Sequence, residues 1–437
     1  MICVATVGTL GAYAAAEAAD DAKQSPATSA VDAKPATASD ALNALHTEMR
    51  RERDSADWQA YLAAAKRQAE LLNHSPMAHL ELARAQAHLN DVNAGLRELR
   101  VFAQMAQESE LLDTVPDLAP LRAAPAFKAI REQAAQNARP IARSTLAFRV
   151  KDRALLPEDI EYDPGTKRFF ISSILQKKIV TATTRGDLAD FATAPDGWPV
   201  LGLKIDHAQQ LLWATEVAME GFDSVEAPAQ GRSALLSYDL RSGKLVRRIE
   251  GPRPSALGDL ALLPDGTVIA SDGQHGGLYR VRRGDDRMER IDAGDFISPQ
   301  TVAVAADGAQ LIVPDYLRGL GLLAPDTKRV TWLATGGRHA LEGVDGLYRA
   351  GNRLLAVQNG AHPGRVVFFS LDPNGASVVA ENIIERSTPT LGDPTHGVIV
   401  GDAFYYIANS GWNVLDERGK LKPGMAFTEA MVMKAGL

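Results

Sequence analysis

A phrase that returns six times along the chain predicts a mainly β protein: a six-bladed β-propeller preceded by an N-terminal α-helical module. Three observations carry this prediction. From about residue 143 onward, a strand opening, a tight turn and an apolar strand recur at fairly even spacing, which marks a repeat architecture built from one stacked unit. Each apolar strand then runs into small or polar residues. Between Asp40 and Gln136, by contrast, no strand pattern occurs, and apolar residues recur three and four positions apart.

The clearest copy of the phrase begins at Gly343 and runs to Asp372. Asp345 opens a short strand, Gly351-Asn352 makes a turn, and an apolar strand ends in Gln358-Asn359. A glycine loop follows, then a strand over 365–371. The six copies open near Glu158, Gly202, Asp259, Gln300, Asp345 and His396. Their apolar strands span 168–171, 211–214, 267–270, 310–313, 354–357 and 403–408. These end in Ser172-Ser173, Thr215-Glu216, Ser271-Asp272, Asp315, Gln358-Asn359 and Asn409-Ser410.

The net charge of −7 supplies no basic footprint for nucleic acid and no polybasic membrane patch. Residues 2–19 form a short apolar, small-residue run, read as a removable secretory signal over residues 1–19. The run is shorter than a membrane span, and no later window is apolar enough for one. The single cysteine, Cys3, would leave with the signal, so the mature chain offers no disulfide and no thiolate ligand. A periplasmic or secreted location follows as an expectation. Residues 20–39, rich in Ala, Pro, Thr and Ser, read as a flexible linker.

The helical module is placed at residues 40–138. Its apolar sets are Leu42, Leu45, Met49; then Trp58, Tyr61, Leu62, Ala65; then Leu80, Leu82, Ala83, Ala87; then Leu96, Leu99, Phe102. Ser55 is expected to cap the helix carrying Trp58, Pro76 to start the next, and Asn90-Asp91 to break before the one after. Residues 78–105 resemble one tetratricopeptide-type hairpin, and 113–130 resemble the segment that closes such arrays. A peptide-binding groove or a plain packing module both fit this reading, and a protein partner through the helices is left open. At the start of the propeller, over residues 143–437, the alternating strand 144–150 is expected to close the ring against 430–434, which removes an exposed edge.

The innermost strand of each blade lines the central channel, so the residue opening it lies at one mouth. Glu158, Asp259, Gln300, Asp345 and His396 fall on that ring. Carboxylates converging there repel unless a cation sits among them. An oxygen-ligated divalent ion, most simply Ca2+, suits them, whereas zinc prefers nitrogen and sulfur. Glu158, Gln300, Asp345 and Asp259 are the candidate metal ligands. His396 is a candidate catalytic group because its ordinary pKa lies near neutrality. The strand-end residues Glu216, Asp272, Asp315, Asn359 and Asn409 are the candidate substrate contacts. Trp213 and Trp412 are expected to pack between blades.

The phrasing around Leu156-Pro-Glu158-Asp-Ile-Glu-Tyr-Asp163 and Asp345-Gly-Leu, with Leu354-Leu-Ala-Val-Gln-Asn-Gly360, resembles the gluconolactonase, senescence-marker-protein and regucalcin-like family of six-bladed propellers. The resemblance implies a glutamate ligand at Glu158 and an aspartate at Asp345 that binds metal and acts as general base. It also implies an asparagine ligand in between, where this chain carries Gln300. It implies a calcium-type cation and hydrolysis of a small lactone or ester, and no Gly-x-Ser-x-Gly nucleophile motif competes with that route. The alternative is a non-catalytic exported propeller that binds a ligand or protein partner at the same mouth.

Overall fold

The computed structural model describes residues 37–108 and 110–437. The expected signal segment and all but the last residues of the expected linker lie outside them. Seven α-helices, α1 (Ala38–Asp54), α2 (Trp58–Leu71), α3 (Pro76–His88), α4 (Val92–Gln104), α5 (Glu110–Thr114), α6 (Ala119–Arg122) and α7 (Phe127–Asn137), precede 25 strands among the described residues.

Thr37 and Asp40 form a reciprocal capping box that starts α1 inside the expected linker. Asp57, not Ser55, caps α2 by accepting from the Ala60 N–H, because Ser55 already closes the C-terminus of α1. Pro76 opens α3, and Asp91 caps α4 through the Ala94 N–H. The apolar faces expected from the three-and-four spacing close into three clusters, one around Leu99, Leu112, Leu118 and Leu121, one around Tyr61, Leu62, Ala65 and Leu82, and a small one in which Leu42 and Leu72 meet Ile297 of the propeller.

The strands form six antiparallel sheets. Blade 1 contains β3 (Pro157–Asp163), β4 (Arg168–Ser173), β5 (Lys178–Ala182) and β6 (Leu188–Thr193). Blade 2 contains β7 (Val200–Asp206), β8 (Leu211–Ala218), β9 (Arg232–Asp239) and β10 (Leu245–Glu250). Blade 3 contains β11 (Leu257–Leu262), β12 (Val268–Asp272), β13 (Gly277–Val281) and β14 (Glu289–Arg290). Blade 4 contains β15 (Ala303–Val304), β16 (Leu311–Asp315), β17 (Gly319–Ala324) and β18 (Arg329–Trp332). Blade 5 contains β19 (Gly346–Ala350), β20 (Arg353–Gln358), β21 (Arg365–Leu371) and β22 (Val378–Arg386), with β1 (Ile141–Ala142) on its outer edge. Blade 6 contains β23 (Gly397–Val400), β24 (Ala403–Ile407) and β25 (Ala430–Gly436). Its fourth strand is β2 (Thr145–Val150), paired from Thr145 against Lys434 to Val150 against Ala430. This is the ring closure anticipated from the two chain ends: β2 covers the edge of β25 and becomes the outer strand of the sixth blade.

Each interface between neighbouring blades holds its own apolar core. Phe170 and Leu212 belong to the core of blades 1 and 2, Trp213 and Leu257 to that of 2 and 3, and Ile269 and Val313 to that of 3 and 4. Ile312 and Leu354 serve blades 4 and 5, Leu355 and Phe404 blades 5 and 6, and Val432 and Ile171 blades 6 and 1. Adjacent residues such as Trp213 and Leu212 serve opposite faces, as the period of two in a strand requires.

At one end of the channel the inner strands abandon regular pairing. Register shifts fall between Pro157 and Ile160, between Val200 and Leu203, and between Leu257 and Asp259. In blades 4, 5 and 6 the inner strand begins only at Ala303, Gly346 and Gly397, just after Gln300, Asp345 and His396. Such breaks re-aim side chains that a continuous ladder would hold in alternation.

The small residues that follow each apolar strand repair these breaks: Ser172 Oγ accepts from the Asp159 N–H at 2.9 Å, and Thr215 Oγ1 accepts from the Gly202 N–H at 3.0 Å. Gly202 itself is needed for close approach, since a Cβ there would lie 2.8 Å from the Gly258 carbonyl oxygen and 3.0 Å from the Asp259 Cα. Gly202→Ala should therefore lower unfolding stability by about 1–3 kcal/mol through overpacking at the channel axis. Denaturant melts of the two proteins check this, and unchanged stability would contradict it.

Candidate functional site

The broken mouth gathers the side chains that carry charge. Glu158, Asp345 and His396 each place one potential ligand atom within 4.8 Å of the others. Gln300, Asp259, Asn359, Tyr316 and Trp412 line the same cavity of about 60 Å³, together with Leu201, Val217, Met219 and Ala256.

Each polar side chain is held from behind. Trp412 Nε1–H donates to Glu158 Oε2 at 2.5 Å. Asn359 Nδ2–H donates to Asp345 Oδ2 at 2.8 Å, and Tyr316 O–H donates to Asn359 Oδ1 at 3.0 Å. Gln300 Nε2–H donates to Ser298, which leaves the Gln300 amide oxygen as the acceptor at this mouth.

His396 is fixed at both ring nitrogens: Nδ1 faces the Glu158 carbonyl oxygen at 3.2 Å, and Nε2 lies 2.9 Å from Asp259 Oδ1. Nε2 also lies 2.9 Å from Thr301 Oγ1, a hydroxyl that can either donate or accept. Burial pulls the His396 pKa down, but Asp259 and Asp345 outweigh burial and hold it well above the ordinary value. The neighbouring carboxylates favour the charged form of His396, whereas the role of base expected from the sequence needs the neutral one.

Burial, with Asp345 adding repulsion, pushes the Glu158 carboxyl well above its usual range. Burial raises Asp345 to about 6, partly offset by His396. Deeper along the same channel Lys204 Nζ reaches Glu161 Oε1 at 2.5 Å and Asp159 Oδ2 at 3.6 Å. Five inner-strand carboxyl groups, Glu158, Asp159, Glu161, Asp259 and Asp345, thus face two cations, Lys204 and His396. A hard divalent cation fits this excess, with Glu158, Asp345 and the Gln300 amide oxygen as donors of the right type. The Asp259 oxygen toward the axis is already engaged by His396.

Of the five residues expected to touch substrate, only Asn359 reaches the cavity. Asp315 accepts from the N–H groups of Ile297, Ser298, Leu317 and Arg318, and Asp272 accepts from those of Gln274 and His275. Asn409 holds the Met431 N–H and the Glu429 carbonyl oxygen. Glu216 accepts from the Asp196 N–H beside Arg248. Thr215, one residue before Glu216, faces Gly202 and Gly258 on the inner strands, so strand alternation turns Glu216 away from the axis, while Asp272, Asp315 and Asn409 are taken up by backbone groups at their strand ends.

Trp412 does not pack between blades; it sits on the loop after β24 and roofs the mouth with Phe222 and Met219. Trp412, Tyr316 and Lys204 were not singled out as site residues from the sequence. Only the placement of Lys204 on an inner strand, two residues past Gly202, could have pointed to it.

Six antiparallel blades around an acidic axial mouth define the class: a six-bladed β-propeller with a candidate cation site on its axis. No protein-family model matches the sequence, the tetratricopeptide resemblance included, and no curated protein matches it. Solved structures share the fold. The PQQ-bound aldose sugar dehydrogenase of Streptomyces coelicolor is similar at 14% identity and a TM-score of 0.46, over 68% of this chain and 96% of that one. The calcium-binding protein regucalcin of Agrobacterium tumefaciens is similar at 15% identity and 0.44, over 67% and 94%. The luciferin-regenerating enzyme is similar at 13% and 0.45, over 68% and 96%. This likeness is one of fold and carries no functional argument.

Glu216 provides a pH test independent of the mouth. Burial first, then Asp196, raises its carboxyl from 4.5 to about 8. The folded state therefore keeps a proton that the unfolded state releases, and stability falls as pH rises from about 4.5 to about 8. Glu216→Gln should flatten that slope and be more stable than the parent at pH 8 in parallel melts; an unchanged slope would contradict the assignment.

Proposed function

We propose that the channel mouth is the site of a metal-dependent hydrolase acting on a small lactone or ester. The observation supporting this most directly is the convergence of Glu158, Asp345 and His396 within 4.8 Å at the axial mouth. Glu158, Asp345 and Gln300 would hold an oxygen-seeking divalent cation, most simply Ca2+, with Asp259 held in reserve by His396. When bound, such a cation supplies Lewis-acid polarisation of the substrate carbonyl.

The chain's own groups do the rest. Asp345 is anchored at Oδ2 by Asn359, and its Oδ1, 3.9 Å from His396 Nε2, would accept a proton from an attacking water. As the acyl carbon–oxygen bond breaks, the proton held by Asp345 passes to the leaving alkoxide, so the products are a carboxylic acid and an alcohol. Trp412 keeps Glu158 oriented. Leu201, Val217, Met219 and Ala256 form the apolar wall against which the acyl group packs.

A second reading, a non-catalytic exported propeller that binds a ligand or protein, is favoured by one observation. The cavity of about 60 Å³ is small for a substrate site, against about 300–1,000 Å³ for ordinary ligand pockets. Periplasmic or secreted location belongs to both readings.

Titration with Ca2+ and a panel of lactones and aryl esters separate them. The parent protein should bind one divalent ion and turn over at least one member of the panel, and a chelator should abolish turnover. Glu158→Gln and Asp345→Asn should lose the ion and at least about a hundredfold in turnover. Turnover that survives the chelator would refute the metal route, and ion binding without turnover would favour the second reading.

A further inference from the structure

A larger cavity lies away from the channel, where the helical module meets blade 4. It measures about 360 Å³, within the roughly 300–1,000 Å³ range of small-molecule sites. One side is the turn between α2 and α3 with the first residues of α3; the other is the β16–β17 hairpin, Trp332 and the loop that follows it.

The polar groups on its wall share one chemistry. Ser75, 7% exposed, occupies the N-cap of α3 but makes no capping hydrogen bond, and its hydroxyl has no partner among the described residues. The N–H groups of Met77 and Ala78 in the first turn likewise receive no cap. An uncapped N-terminus of a 13-residue helix is electropositive. Opposite it, Arg318 lies over the Trp332 ring at 4.3 Å and donates Nε–H to the Leu71 carbonyl oxygen at 2.7 Å and Nη1–H to the Asp295 carbonyl oxygen. These are neutral acceptors; among the described residues Arg318 forms no ion pair with a carboxylate, and Asp315 and Asp295 are the acidic groups that act on it from nearby.

The remaining wall is apolar: Leu72, Met105, Leu320, Leu333 and Leu341. Three other titratable groups face the cavity. His74 pairs with Glu70, and His339 with Glu381. Burial raises Glu342 to about 7, so near neutrality its carboxyl group is substantially protonated and able to donate.

We propose that this cavity is a second ligand site, for a small amphipathic anion. Its carboxylate or phosphate head is held by Ser75, the start of α3 and Arg318, and its apolar body packs between Leu72, Leu320 and Leu333. The ligand would bridge the helices to the propeller where Asn73 Nδ2–H already donates to the Arg318 carbonyl oxygen at 2.8 Å.

The test is calorimetric titration of the full chain with five probes: an aryl carboxylate, a medium-chain alkyl phosphate, inorganic phosphate, a neutral aryl alcohol and an aryl amine. At least one of the first two should bind at submillimolar concentration, and which one does identifies the head group. The other three should bind at least about tenfold more weakly. Ser75→Ala should weaken binding about fivefold with no change in melting temperature, since no cap bond is lost. Arg318→Gln should weaken it about tenfold or more, and Thr335→Trp, which fills the cavity, should abolish it.

The proposal is overturned if neither organic anion binds. It is also overturned if the alcohol, the amine or inorganic phosphate binds as tightly, or if binding survives Thr335→Trp, which would place it elsewhere.

Discussion

Electrostatic crowding at one end of the channel is the constraint on which the rest of the structure depends. Two like charges about 4 Å apart cost about 4 kcal/mol at the effective dielectric of a partly buried site. Glu158, Asp345 and Asp259 meet at the mouth with only His396 beside them, and Lys204 is committed deeper to Glu161 and Asp159. The fold holds these groups together through broken inner-strand pairing, and it supports them with neutral donors, Trp412 and Asn359, that orient the carboxyls without cancelling their charge. Such an arrangement is costly empty and favourable around a cation.

Much of the architecture was legible in the sequence because a propeller repeats its local chemistry. Asp345-Gly and Leu354 to Asn359 carry a period-two strand and a turn that any blade needs, and the ring Glu158, Asp259, Gln300, Asp345 and His396 follows from its phase. Less legible was everything that depends on which face a residue takes after a register break. Glu216 lies inside β8, Asp272 and Asp315 end β12 and β16, and Asn409 lies two residues past β24, whereas Asn359 stands one residue beyond β20 and lines the cavity. Trp412 and Tyr316 reach the mouth from loops whose paths no local pattern encodes. The protonation of His396 depends on Asp259, which lies far from it in sequence.

The helical module belongs to the mouth end of the propeller. The Ala38 N–H donates to the Gly294 carbonyl oxygen and the Glu108 N–H to that of His362, so its helices rest on the loops of blades 3 to 5 at that end. Loops from blades 2 and 6, joined by Asp223 with Arg418 and Lys420, cover the opposite side. The small mouth cavity is thus the product of a rim built by the whole chain, and access to it depends on elements remote from the acids themselves.

The central claim, that these dispersed acids share one divalent ion on the propeller axis, is tested most directly by anomalous diffraction from crystals soaked in Mn2+. The account predicts one strong peak bounded by Glu158, Asp345 and the Gln300 amide oxygen. A mouth without such a peak, with the ion bound elsewhere or not at all, would contradict it.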